Sequence, residues 1–243
     1  MRLGIMQPYF FPYIGYYDVI NRSERWVVFD IVKYVPKSWM NRNRILHPTQ
    51  GWQYVTVPVD RHSEGSTIKD VSIVDKQEAH RRILGQLEHY RSGRAPYFRA
   101  VRNLVDRCFT ETETSKLRDL NVRSLALVCD YLGIGFRPLI ASQIALALPP
   151  ILHPGQWALE ISSALGASTY VNPPGGRELF RPEEFESRGI GLEITPTHDF
   201  RYDCGSYGYV ERLSVLDVLM WNSPGRVKAY LDDQIPWTNA DNR

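Results

Sequence analysis

The segment from His198 to Cys204 holds the residue types of a covalent acyl-transfer site. His198 precedes Cys204 by six residues, and Asp199 and Asp203 lie between them. A thiolate can attack an acyl carbonyl when a base or cation lowers the pKa of the thiol, and transfer from a thioester suits a Cys–His pair. The neighbouring acids oppose thiolate formation. Two interpretations stand: Cys204 and His198 are catalytic residues, or Cys204 is an inert, partly buried thiol.

Two further carboxylates are candidates for acid–base chemistry. Asp30 lies near the end of the apolar segment Trp26–Val32, a predicted strand, where a carboxylate can face a ligand. We predict a catalytic role for Asp30. Asp217 follows Ser214 on a predicted helix, where an acid in the first turn stabilises the helix through its dipole. We interpret Asp217 as structural.

An aromatic loop follows the first predicted strand. It spans Gln7–Tyr16 and contains three tyrosines, two phenylalanines and two prolines. Open α/β sheets bind ligands at the carboxyl ends of their strands, so Tyr9 and Tyr16 could form a wall for a sugar, a base or an acyl chain. Gln7 supplies an amide that both donates and accepts hydrogen bonds. The alternative is a packed loop stiffened by its prolines.

Asparagine and arginine alternate from Asn41 to Arg44, shortly after Trp39, in a segment predicted as a loop or the start of a helix. Arg42 can bind a carboxylate or phosphate through two N–H groups, and the amides of Asn41 and Asn43 suit an anionic, hydroxyl-rich ligand. A solvated polar face is the alternative. We predict one pocket at the carboxyl edge of the sheet, lined by Gln7, Asp30, Asn41, Arg42 and Asn43.

Several segments together resemble the WbqC-like family over nearly the whole chain. In chain order they are Gln7–Tyr16, Asp30, Trp39–Ile45, Ala95–Phe98, Leu120-Asn121, Leu165–Ala167 with Tyr170, and Leu213–Asp217. The resemblance implies a protein associated with O-antigen and other glycan biosynthesis that transfers an acyl or aminoacyl group, such as glycine, to an amino sugar. The motif residues that it marks as functional are Gln7, Asp30, Trp39, Asn41, Arg42, Asn43, Asn121 and Asp217.

Three positions depart from the family pattern. Ala141-Ser142 stands where members often carry a Ser-Ser pair, and Tyr202-Asp203-Cys204 stands where they often show Tyr-x-Gln. Asn172-Pro173-Pro174 replaces the usual Ser-Gly-Pro run. Ser142 keeps the hydroxyl of the family pattern and is retained as a predicted substrate-binding residue. The departures are consistent with a divergent branch that uses a different substrate or altered chemistry.

Apolar periodicity predicts a largely parallel, Rossmann-like α/β sheet with a helical block inserted in the middle of the chain. The predicted strands are Leu3–Gln7, Trp26–Val32, Tyr54–Val59, Ile68–Val74, Pro138–Ser142, Thr169–Val171 and Gly191–Pro196. Tyr54–Val59 and Ile68–Val74 are expected to form a hairpin with a long loop. The helical block covers residues 76–133 of a single domain of residues 1–243, and the tail from Trp237 onward is expected to fray.

Composition narrows the class of protein. The 243 residues carry 29 Lys and Arg against 27 Asp and Glu, a net charge of +2, which is too small for general nucleic-acid binding. No apolar run approaches the ~20 residues of a membrane span, and the amino terminus lacks the apolar core of a signal peptide. We therefore expect no membrane insertion and a cytoplasmic protein.

Metal and cofactor sites are not expected. Three cysteines without close pairing favour neither disulfides nor a zinc site, and the six histidines are scattered. No Gly-rich phosphate fingerprint is present. The expected partners are a small-molecule substrate and an acyl-carrier or aminoacyl-thioester donor.

The leading functional hypothesis is an acyl- or aminoacyl-transferring enzyme that acts on an amine of an amino sugar or small metabolite. One alternative is a degenerate nucleotidyltransferase-like enzyme, which shares the order of strand, aromatic loop, helix and strand but lacks the His-x-Gly-His element. The other is a non-catalytic carrier-protein or glycan-binding module. A pocket without grouped polar residues of shifted pKa would favour this second alternative.

Overall fold

The computed structural model describes residues 1–60, 65–233 and the backbone of 237 and 238. In chain order the strands are β1 Arg2–Met6, β2 Arg25–Val28, β3 Arg42–Leu46, β4 Trp52–Thr56, β5 Pro138–Ile140, β6 Thr169–Asn172, β7 Gly191–Ile194 and β8 Trp237–Thr238. The helices are α1 Ile14–Asn21, α2 Lys76–Ser92, α3 Phe98–Thr110, α4 Leu117–Leu132, α5 Gln156–Ala164, α6 Pro182–Ser187, α7 Val215–Trp221 and α8 Pro224–Asp232.

The main sheet has the strand order β5-β2-β1-β6-β7-β8. The first five of these strands are parallel, and β8 pairs antiparallel with β7. The predicted α/β class with a largely parallel sheet is therefore confirmed. From β1 the chain moves outward to β2 and later to β5, and then crosses back to β6 on the opposite side of β1. The strand order thus reverses between β1 and β6, which is where open α/β sheets bind ligands.

Apolar residues cover both faces of the sheet. Trp26 and Val28 of β2 pack in one hydrophobic cluster, whereas Val27 packs with Leu3 and Ile5 of β1 in another. Parallel strands buried on both faces have continuous apolar sequences, as these do. A side chain at position 4 would not fit, because a Cβ there would lie 2.7 Å from the Trp26 ring.

Helices α2, α3 and α4 form the predicted helical block. Ile83, Leu87 and Tyr90 of α2 are fully buried at three- and four-residue spacing, which fixes the inner face of that helix. The helix α4 ends at Gly133, whose φ of 70° lies in the left-handed region that favours glycine.

The conformation predicted for residues 41–44 is wrong, and within the described residues the predicted hairpin is reduced to one antiparallel bridge between Val59 and Ile73. β4 pairs antiparallel with β3, with Arg44 opposite Tyr54, while Ile68–Asp70 forms a 3-10 turn and contributes no strand. Asn43 and Ile45 are buried on the inner face of β3, so the strand does alternate. The alternation was hidden because its inward residues include a polar side chain, Asn43.

The described part of the chain contains no helix that is long and apolar enough to cross a membrane. Of the tail that was expected to fray, Trp237 and Thr238 pair with β7, and residues 239–243 lie outside the described residues. Part of the loop expected at Asp60–Thr67, residues 61–64, also lies outside them.

Candidate functional site

A cavity of about 540 Å³ opens at the carboxyl edge of the sheet, and we call it the edge pocket. Segments that follow β1, β6 and β7 all reach it, so it lies at the reversal point of the strand order. The hairpin strand β3 and the segment before α7 close its other sides. Its lining residues are Tyr9, Pro12, Tyr13, Ile14, Trp39, Asn43, Arg44, Pro174, Gly175, Pro196, Thr197, His198, Phe200, Tyr202, Tyr209, Arg212, Leu213 and Val218.

Side-chain amides fix the loop that follows β1. The Asn121 amide donates to the carbonyl of Pro8 at 2.8 Å, and the Asn43 amide donates to the carbonyls of Phe10 at 3.0 Å and Phe11 at 2.8 Å. The hydroxyl of Ser214 also donates to the Phe11 carbonyl, at 2.6 Å. Three distant parts of the chain thus hold one loop, and we call these three residues the loop clamp.

The clamp holds the backbone in a strained conformation. Phe11 has a φ of 38°, which a non-glycine residue rarely adopts, and its side chain is fully buried. The amide of Asn41, by contrast, donates to the Val57 carbonyl at 3.2 Å and holds the chain beyond β4. The amide nitrogens of the three predicted substrate-binding asparagines, Asn41, Asn43 and Asn121, therefore bind protein backbone, and only Asn43 lines the edge pocket.

An imidazole–carboxylate pair lies at the pocket wall. His198 Nε2 is 3.1 Å from Oδ2 of Asp18, and the other oxygen of this buried carboxylate accepts from Arg22 at 2.8 Å. His198 Nδ1 is 3.3 Å from the hydroxyl of Tyr230. A carboxylate that accepts from Nε2 leaves the lone pair of a neutral imidazole on Nδ1. Gly15 makes room for the ring, since a Cβ there would lie 3.0 Å from His198.

Two arginines supply positive charge to the edge pocket. Arg44 donates through Nη2 to the carbonyl of Arg212 at 3.2 Å, so the two residues are coupled. Arg212 has a φ of 55°. Like Phe11, it is a non-glycine residue in the left-handed region. Among the described residues, no aspartate or glutamate lines the pocket. The chemistry of the walls therefore suits an anionic ligand.

Neutral aromatic side chains form most of the remaining wall. Burial and the neighbouring Tyr9 raise the pKa of Tyr13 to about 12, while the positive charge of Arg212 acts in the opposite direction.

The Tyr202 hydroxyl donates to Asp217, which also accepts from Tyr90. Burial raises the pKa of Asp217 to about 6 even though both hydroxyls stabilise its anion. Asp217, which was interpreted as structural, is buried behind the wall in the first turn of α7.

Asp30 forms a cluster of its own. Its carboxylate accepts from Arg118 at 3.1 Å, from the backbone of Ser142 at 2.9 Å and from the Ser142 hydroxyl at 2.6 Å. Asp30 and Ser142 follow β2 and β5, on the far side of β1 from the reversal point. Neither lines the edge pocket, so Asp30 does not share it with Asn43 as predicted. A fully hydrogen-bonded, buried carboxylate of this kind braces the ends of two strands.

The structure also corrects the expectation for Cys204. The side chain is 3% exposed, and its sulfur lies 3.7 Å from the Tyr202 carbonyl oxygen. Burial, followed by the charges of Asp217 and Asp203, raises the pKa of the thiol to about 12. The nitrogens of His198 face Asp18 and Tyr230, so the predicted Cys204–His198 pair is not formed. This environment opposes the accessible thiolate that a nucleophile requires.

The other predicted residues divide between the edge pocket and its surroundings. Tyr9, Trp39, Asn43 and His198 line the pocket. Tyr16 is buried, and its hydroxyl donates to the carbonyl of Gln7 at 2.7 Å. Arg42 lies over the ring of Tyr54 on the hairpin, 4.1 Å from the ring centroid.

Sequence reasoning did not identify Asp18, Tyr13 or Arg212 as site residues. Asp18 lies within a helix and is 180 positions from His198, so no local spacing relates the two. Tyr13 was visible as part of the aromatic loop, and Arg44 as part of the asparagine–arginine segment. No local sequence pattern marked Arg212 as a site residue, because only the fold brings it beside Arg44.

The sheet, the pocket at its reversal point and the clamped loop define an α/β protein with a cavity at the carboxyl edge of its sheet. The sequence profile of the WbqC-like protein family matches residues 7–229, and the chain belongs to that family. It is 26% identical over 224 residues to the uncharacterized protein Rv1507c of Mycobacterium tuberculosis, a match that covers 90% of this chain and 92% of that protein. No solved structure matches the chain significantly.

Proposed function

We propose that this chain is a cytoplasmic group-transfer enzyme. The edge pocket binds an anionic small molecule, and an acyl or aminoacyl group passes to an amine. The observation that carries the proposal is the joint presence in one pocket of two arginines and a carboxylate-oriented histidine, with no carboxylate among the lining residues that the structure describes. Its volume of about 540 Å³ is typical of small-molecule sites.

Direct attack by the amine replaces the covalent cysteine mechanism. The amine nitrogen forms a bond to the acyl carbon, and the bond from that carbon to the sulfur or oxygen of the donor breaks. Nδ1 of His198 exchanges its 3.3 Å contact with the Tyr230 hydroxyl for the amine and accepts the proton that the amine loses, and the departing thiolate or oxyanion recovers that proton. Asp18 holds the ring in the required tautomer and stabilises the imidazolium while it exists. Arg44 and Arg212 bind the anionic part of the substrate.

A transfer assay tests the role of His198. Acyl and glycyl thioesters of phosphopantetheine, whose phosphate supplies the anionic group, serve as donors and glucosamine as the amine. Thiol release is followed by a thiol-reactive chromophore and the product by mass spectrometry. His198→Gln keeps a hydrogen-bonding side chain but cannot accept the proton, so we expect a loss of roughly 100-fold or more in rate.

The chain offers a matched control for that variant. His153 also pairs with a carboxylate, Glu184, at 3.0 Å, but it does not line the edge pocket. His153→Gln should therefore leave the rate unchanged. Full activity in His198→Gln would remove the proposed base. A protein that binds anions in the pocket but transfers no group from any donor would instead be a binding module.

A further inference from the structure

An exposed ladder of arginines and aromatic rings leads away from the edge pocket. Arg44 lies between two tryptophans, with its guanidinium carbon 5.5 Å from the ring centroid of Trp39 and 5.1 Å from that of Trp52. Trp52 meets Tyr54 edge to face at 4.9 Å, and Arg42 lies over Tyr54. We call these five residues the arginine–aromatic ladder. Trp39 and Arg44 line the pocket, so the ladder is continuous with it.

The tryptophans of the ladder are available to a ligand. Arg44 lies over a face of each ring, yet Trp39 and Trp52 each remain 41% exposed. Both are large apolar side chains in contact with solvent. Trp52 lies on β4, and Trp39 lies on the segment before β3. Exposed planar rings beside cations are the surfaces on which nucleobases stack.

The arginines have hydrogen-bonding capacity left for an anion. Within the described residues, no carboxylate forms an ion pair with Arg42, Arg44 or Arg212, whereas Arg22 and Arg118 do pair with acids. The Nε atom of Arg44 is buried and has no partner in that part of the chain. A buried N–H group without an acceptor is unfavourable, and a ligand oxygen would supply the acceptor.

We infer that the ladder and the two pocket arginines form a binding subsite for a nucleoside diphosphate. The base stacks on Trp52 or Trp39, and the phosphates accept hydrogen bonds from Arg44 and Arg212. A planar ring joined to a diphosphate combines the two chemistries that the subsite offers side by side. The inference rests on the proposal that the edge pocket binds an anionic substrate, but not on the transfer chemistry. Either the group donor or the amine acceptor could carry the nucleotide.

Binding measurements on the full chain separate the stacking contribution from the anionic one. ADP, UDP and inorganic pyrophosphate are titrated by calorimetry, and tryptophan fluorescence reports whether a base reaches the ladder. We expect ADP or UDP to bind at least roughly tenfold more tightly than pyrophosphate, since stacking on an aromatic ring adds affinity of that order. A preference for ADP would indicate that the subsite favours a purine base, and a preference for UDP that it favours a pyrimidine base. Either result supports the subsite.

Three variants locate the binding. Trp52→Leu should weaken nucleotide binding roughly tenfold and leave pyrophosphate binding unchanged, while Trp52→Phe should restore most of the nucleotide affinity. Arg44→Lys should weaken both, because the planar fork of N–H donors is lost. Arg102→Lys, on the surface of α3, serves as the control with unchanged binding. Thermal melts establish that each variant is folded. If Arg44→Lys does not fold, the two Trp52 variants still decide the outcome.

The outcomes for the subsite and for the proposed function are distinguishable. Equal affinity for pyrophosphate and for both nucleotides would overturn the nucleoside subsite and leave the anionic pocket intact. The same holds if Trp52→Leu binds ADP and UDP as tightly as the native chain. Tight, Trp52-dependent nucleotide binding by a chain that transfers no acyl group would support the subsite and remove the proposed function.

Discussion

Burial favours the neutral form of two acidic groups behind the aromatic wall of the edge pocket. The pKa of the Cys204 thiol is raised to about 12 by burial and by the charges of Asp217 and Asp203. The pKa of Asp217 is itself raised to about 6 by burial. Tyr202 connects both residues to the pocket, through its carbonyl near the sulfur and its hydroxyl on the carboxylate. At the scale of single residues, this region supports the wall and supplies no nucleophile.

Cys204 should therefore be unreactive in the folded protein. We expect iodoacetamide near neutral pH to alkylate it as slowly as Cys108 and Cys129, which are also buried and whose pKa values burial likewise raises. Mass spectrometry of tryptic peptides gives the three rates, and the urea-unfolded chain, in which all three should react, is the control. Cys204→Ser should keep the transfer activity. Rapid alkylation of Cys204 alone would revive the covalent mechanism.

Elements distant in sequence meet at the loop after β1. Asn121 comes from α4, Asn43 from β3 and Ser214 from the cap of α7, and each donates to a carbonyl of residues 8–11. Buried asparagine amides that bind backbone carbonyls fix a loop more firmly than apolar contacts alone, because each donor would otherwise be left unsatisfied. The aromatic wall is thus positioned by residues of which only Asn43 lines the pocket itself.

Removing one member of the clamp should affect binding from a distance. Asn121→Ala deletes two hydrogen bonds, to Pro8 and to Met40, and should lower the free energy of unfolding by about 1–3 kcal/mol. It should also weaken pyrophosphate binding, although Asn121 does not line the edge pocket. Denaturant unfolding and calorimetry measure the two effects.

Asn41→Ala is the matched control for that prediction. Its amide is also buried and donates to the Val57 carbonyl, and among the described residues it forms no hydrogen bond to the loop after β1. We expect Asn41→Ala to lower the free energy of unfolding without weakening pyrophosphate binding. If Asn41→Ala instead abolished binding while Asn121→Ala did not, Asn41 would be the ligand-binding residue that its sequence context suggested.

The same elements show how far local sequence determines this fold. Apolar periodicity predicted the helical block of residues 76–133, because that signal lies within the helices themselves. The strand β3 was not predicted, because its inward residue Asn43 is polar and its partners, Phe10 and Phe11, lie more than thirty positions away. The pair of His198 with Asp18 could not be predicted for the same reason. Only the pairing of β7 with β6, and of β6 with β1, brings the two residues together.

At the scale of the whole molecule, one polar chain behind the pocket joins three elements that are distant in sequence. The backbone N–H of Leu46 donates to the Tyr90 hydroxyl at 3.0 Å, and that hydroxyl donates to Asp217. The hairpin, α2 and α7 are thereby joined at a carboxyl group that is fully buried. Its protonation state consequently affects the stability of the entire fold.

Asp217 should make folding more favourable at low pH. Its pKa is about 6 in the folded chain against an ordinary value of 3.8, so the folded state binds the proton more tightly than the unfolded state does. Below the ordinary value both states are protonated, and the contribution is fully present. It is lost as pH rises through about 6. The shift, in which the opposing effect of the two tyrosine hydroxyls is already contained, corresponds to roughly 3 kcal/mol.

The variant Asp217→Asn isolates this contribution because an amide stays neutral throughout. Urea unfolding of both proteins between about pH 4 and pH 7 gives the difference in their free energies of unfolding at each pH. We expect the native chain to lose stability relative to the variant as pH rises across that window. Tyr202→Phe should move the window upward, since it removes one donor to the carboxylate. A difference that stays constant with pH, or that favours the native chain at high pH, would mean that Asp217 is ionised in the fold at all these values and that the two hydroxyls outweigh its burial.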